Sequence, residues 1–157
     1  MPARLPPLRY GAAMDAPAPL AWIAEHPYAF PALEVVHIVG IALLLGSLVL
    51  LELRVWGVGA ALPLPALARL ALPVTLGGFV LIAASGLLMF AASAAELLAS
   101  TTFLLKMALV ALAGLNAAAF HLRGGLTRAD AVARWQAAAS LLLWLAVIAA
   151  GRWIAYA

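Results

Sequence analysis

The run from Ile38 to Leu51 constrains this chain most, because it carries no charged side chain. With its flanks it forms Leu33–Arg54, LEVVHIVGIALLLGSLVLLELR. A helix needs about 20 mostly apolar residues to cross a bilayer, and this segment supplies them. Near its start, on one helical face, stand Glu34 and His37. An ionisable group in hydrocarbon costs roughly 2.5–3.5 kcal/mol on insertion scales and usually faces a protein interior or a wet cavity. The helix is therefore expected to have partners, and His37 needs explaining.

The rest of the chain supplies those partners. It has 157 residues, of which 68% are hydrophobic and 10% charged, with mean hydropathy +1.13. A soluble domain cannot hide that much apolar surface, whereas an integral membrane protein requires it. With no cysteine, the chain can form no disulfide, thiolate metal site, iron–sulfur cluster or Cys-attached haem. The net charge of +3 comes from arginines outside the apolar runs. Such arginines set membrane topology, so no nucleic-acid partner is inferred.

Periodicity and punctuation divide the chain into a Pro/Ala-rich tail, residues 1–19, and one transmembrane domain, residues 20–157. The tail has no long apolar core before a small-residue cleavage site, so it does not read as a signal peptide. Leu20–Phe30 reads as a short interfacial helix with Trp22, Tyr28 and Phe30 at headgroup level. Four spanning helices follow, over about 32–56, 66–93, 102–122 and 133–156. The fold class is an all-α, four-helix, up-down membrane bundle. Thr75, Gly78, Ile82, Ser85, Met89 and Ser93 recur at spacings of three and four, a stripe suited to close helix packing. Gln136, Ser140, Trp144, Val147 and Gly151 form the inner stripe expected of the last helix. Ser100, Thr101 or Thr102 is the expected cap of the third. Arg54, Arg69, Arg123, Arg128 and Arg134 flank the two loops between paired helices. By the arginine bias these loops are cytoplasmic and both termini lie outside, as in a multi-pass protein of a bacterial inner membrane.

With alternating helix directions, His37, Met89, Lys106 and Arg152 fall at similar depth near one membrane face, from four different helices. His and Met are a known axial pair for haem iron, and Lys and Arg at the same level suit two propionates. The leading expectation is a haem b-binding, redox-linked protein, with His37 and Met89 as ligands and Lys106 and Arg152 as anion partners. The alternative is copper or other ion handling, with His37 and Glu34 as metal ligands beside Met89. The plainer possibility is a non-catalytic membrane subunit. There His37 is satisfied locally, Met89 fills core and the two cations snorkel to the headgroups. Partners would be the lipid bilayer and a redox partner or second copy. No Ser/His/Asp set, paired-carboxylate site or phosphate loop is recognisable.

LEVVHIVGIALLLGSLVLLELRVWG, FLLKMALVALAGLNAAAFH and the ending AAGRWIAY resemble small bacterial four-helix membrane proteins of unknown function. More distantly, His37 together with Lys106 and His121 resembles the bacterial membrane protoporphyrinogen oxidase, a four-helix haem b protein. That resemblance implies functional roles for His37 and Lys106. The copper-resistance D family is a second distant likeness. The chain has no Trp-x-x-Gly after His37 and no Asn-Glu-x-Pro in its last helix, two elements expected of the oxidase.

Overall fold

The computed structural model describes Ile23 and residues 26–156. Four long helices dominate it: α1, Ala29–Val55; α2, Leu64–Ala92; α4, Thr101–Leu122; and α6, Ala131–Trp153. Each is long and apolar enough to cross a membrane. Two short helices, α3 (Ala94–Ala99) and α5 (Gly125–Arg128), occupy connections, and a 3-10 turn, Ile154–Tyr156, follows α6. No strand occurs among the described residues. The chain is an all-α integral membrane protein.

The helices begin two or three residues earlier than their apolar patterns alone suggest, or one earlier for α4. The ends are set by caps and prolines. Pro63 and Pro65 bracket the start of α2, where a missing N–H costs nothing. Ser100 caps α4, its hydroxyl accepting from the Phe103 N–H at 3.3 Å. Asp130 caps α6 by accepting from the Ala133 N–H at 2.8 Å, which brings the start of that helix back to Ala131. The interfacial helix expected over Leu20–Phe30 falls largely outside the described residues. Its described part differs from expectation: His26–Tyr28 is a turn, and Phe30 already belongs to α1. The connection after α2 is likewise helical, as α3.

α1 and α2 form the most closely packed pair, an antiparallel hairpin, and α4 pairs with α6. The two hairpins meet chiefly through α1 and α6. Close approach in the first hairpin requires glycine. A Cβ on Gly78 would lie 2.6 Å from the Leu44 nitrogen and 2.8 Å from the Gly40 carbonyl oxygen. Backbone therefore lies on backbone, as small residues permit between membrane helices. The register is regular. Ser47 meets Thr75 through their hydroxyls at 2.7 Å, Gly40 and Leu44 meet Gly78, and His37 meets Ser85 at 2.9 Å. The small-residue stripe read from the sequence of α2 is the face that makes these contacts.

The buried core sits at the opposite end of the bundle from His37. It joins Leu51 and Val55 of α1, Leu64, Ala68 and Ala71 of α2, and Ala133 and Ala137 of α6. The Trp56 indole N–H donates to the Arg134 carbonyl at 3.0 Å, tying the end of α1 to the start of α6. Large side chains such as Leu50, Leu76, Leu115 and Leu142 point outward, as lipid-facing positions require.

Candidate functional site

Two polar centres lie at opposite ends of the bundle. The first is built on His37. Its Nδ1 lies 2.9 Å from the Ser85 hydroxyl. That hydroxyl has one hydrogen, which it donates to the Leu81 carbonyl at 2.6 Å. With that hydrogen on a carbonyl, Ser85 can accept from His37, which favours the tautomer with the proton on Nδ1. The tautomer leaves Nε2 with a free lone pair, the arrangement of a metal-binding imidazole oriented by a second hydrogen bond. Ser85 is buried and His37 half-buried. Gly86 makes room for the ring, since a Cβ there would stand 3.4 Å from its Cε1.

Lys106 comes to the same end from the other hairpin. It is half-buried and lies across Gly151 of α6, where a Cβ would be 3.4 Å from its Nζ. No side chain among the described residues bonds to its ammonium group, and it stands within electrostatic reach of His37. In each hairpin, then, a polar residue near the start of the first helix rests on a glycine near the end of the second.

The other sequence candidates make no hydrogen bond to either residue. Met89 is half-buried, one turn beyond Ser85 on α2, and the helix register sets it opposite Leu33. Glu34 is exposed, and no hydrogen bond joins it to His37. Arg152 is exposed and engaged locally. It donates to the Tyr156 hydroxyl at 2.5 Å, with its guanidinium 4.7 Å from that ring's centroid. Of the four residues expected at one level, His37 is held by Ser85 on the first hairpin and Lys106 lies across Gly151 on the second. Depth along a helix could be counted from the sequence, whereas rotation about the axis could not.

The second centre was not foreseen. Glu52 of α1 is only 4% exposed, and neither of its carboxylate oxygens has a hydrogen-bond partner. It lines a cavity of about 60 Å³ between α1, α4 and α6, with Asn116, His121, Gln136 and Ser140 among the other walls. Asn116 donates to the Gln136 carbonyl at 2.9 Å. Arg123 donates to the Gln136 side-chain oxygen at 3.1 Å and to Asp130 at 3.3 Å. None of His37, Met89, Lys106 and Arg152 lines this cavity. At about 1.5 Å rise per residue, Glu52 lies roughly 22 Å from His37 along α1, so the two centres cannot share a small ligand. A signal for Glu52 was present in the sequence. It is a carboxylate near the end of an apolar helix, two residues before Arg54, and that spacing puts the two on different helix faces; Arg54 bonds to the Leu62 and Ala60 carbonyls.

Among the described residues no group of three or more His, Asp or Glu side chains could enclose a metal ion. No family model, curated protein or solved structure matches this chain.

Proposed function

We propose that the chain is an inner-membrane haem b protein with a redox-linked role, its cofactor held at the His37 end of the bundle. The observation that carries this reading is the contact of His37 Nδ1 with the Ser85 hydroxyl at 2.9 Å, which orients the ring and leaves Nε2 open to a ligand inside an apolar bundle. A haem brings four nitrogen ligands of its own and asks the protein for one or two, so a single well-oriented histidine suits it better than it suits a bare copper ion. Lys106, an ammonium without a bonded partner on the facing hairpin, is placed to meet a propionate. Met89 is the candidate second ligand. Arg152, committed to Tyr156, is not needed. When bound, haem would supply the one-electron chemistry, and His37 would orient it.

The cytoplasmic placement of the Arg-rich loops belongs to the same proposal and rests on the positive-inside bias. The test is absorption spectroscopy of the detergent-purified chain before and after haem loading. A Soret band that disappears in His37→Ala and weakens in Lys106→Met supports the reading. No Soret band in the loaded wild-type chain rejects it.

A further inference from the structure

A buried carboxylate with no donor is an incomplete arrangement. Burial removes the water that would otherwise stabilise it. Neither Glu52 oxygen has a partner at ordinary hydrogen-bond geometry, and the Ser140 hydroxyl of α6 stands beside the carboxylate as a neutral, weak donor. Several polar groups around Glu52 are engaged with one another, and His121, also on the cavity wall, makes no hydrogen bond to it. Arg123 is divided between Gln136 and Asp130, and Asn116 uses its NH₂ on the Gln136 backbone. Arg54 is tied to carbonyls of the α1–α2 loop. Glu52 is the one carboxylate among the cavity's lining residues, and when ionised, as in alkaline solution, it makes that wall negative.

Two of the groups beside that carboxylate offer acceptor oxygens. With its NH₂ engaged, Asn116 keeps its side-chain oxygen free, and the Ser140 hydroxyl can accept as well as donate. The remaining walls are apolar, with Leu48, Leu72, Phe120 and Leu126 among them. About 10–15 Å³ holds one water, so a cavity of about 60 Å³ admits a group of several heavy atoms.

We infer that this cavity is a binding site for a small alkylammonium ion, with Glu52 as its counter-ion. The N–H groups of such an ion would meet the Glu52 carboxylate and the Ser140 and Asn116 oxygens. Its carbon end would lie on the leucine and phenylalanine walls. A sodium ion, which needs oxygen on all sides, is poorly served by the same walls. The inference uses no residue of the His37 centre and stands or falls separately from the haem reading.

Isothermal titration of methylammonium chloride into the full chain in detergent and alkaline buffer tests it, with sodium chloride at equal concentration as control. Saturable heat is expected with methylammonium and not with sodium. Glu52→Gln keeps the shape, removes the charge and should weaken binding by about tenfold or more. Ala117→Leu, at an outward position on the cavity rim, keeps Glu52 but fills space, and should also weaken binding. Circular dichroism checks that both variants stay helical. If Glu52→Gln does not fold, Ala117→Leu decides alone. No saturable methylammonium heat, equal heat from sodium, or unchanged affinity in the folded variants overturns the proposal.

Discussion

The two ends of this bundle solve the problem of polarity in an apolar bundle in opposite ways. At the His37 end the ring is held through its Nδ1 by the Ser85 hydroxyl. The unpartnered group there is a cation, Lys106, on a long stem over Gly151. At the Glu52 end the group lacking a hydrogen bond is a carboxyl on a shorter stem, buried beside the apolar core. A long, half-buried lysine can reach toward the boundary and be solvated there. A glutamate buried between helices cannot, so its missing partner is the stronger sign of a ligand. The comparison teaches that depth alone does not mark a site. What matters is whether a polar group has an escape.

The largest expected effect separates the ends outright. His37→Ala should abolish the Soret band of the haem-loaded protein and leave methylammonium titration intact, while Glu52→Gln should do the reverse. Loss of both signals in either variant breaks the comparison. Next is the hairpin that carries His37. Gly78→Ala places a methyl against the Leu44 and Gly40 backbone and should cost about 1–3 kcal/mol of stability by overpacking, read as a lower melting temperature in detergent. An unchanged melt would show that the two backbones are not in contact.

Smaller effects sharpen the contrast. Ser85→Ala removes the acceptor that orients His37 and should cost about 1 kcal/mol, with a shift or broadening of the haem bands as the ring loosens. Asp130, outside the membrane span, gives a pH effect. The Ala133 N–H chiefly, with help from Arg123, holds its carboxyl below the usual range. Its stabilising share is therefore complete above the ordinary carboxylate range and is lost as pH falls through the lowered value. Melting curves in acid should show this slope in the wild type and a weaker one in Asp130→Ala. Smallest of all, Arg152→Ala breaks an exposed local contact and should move stability by less than about 0.5 kcal/mol. Larger losses would return Arg152 to the His37 centre.

The membrane class, the four spans and the packing face of α2 were all legible in the residues. Each rests on local pattern: apolar runs of spanning length, prolines and serines at helix starts, and small residues every three or four positions. The true start of α6 was harder to see because Asp130 reads as one charge among three in a loop until its oxygen is found on the Ala133 N–H. For the site, the sequence placed His37 and Lys106 at one level but could not tell that Arg152 turns to Tyr156 while Lys106 lies on Gly151.

Composition and spacing by themselves determined that this chain lives in a bilayer as four helices, because a backbone without water must satisfy its own hydrogen bonds and only a helix does so within one segment. The tertiary structure alone decided which polar groups face each other. Helix rotation and pairing are set by contacts between segments far apart in the chain, such as Gly40 on Gly78 and Glu52 beside Ser140. Those contacts gave His37 its partner and left Glu52 without one.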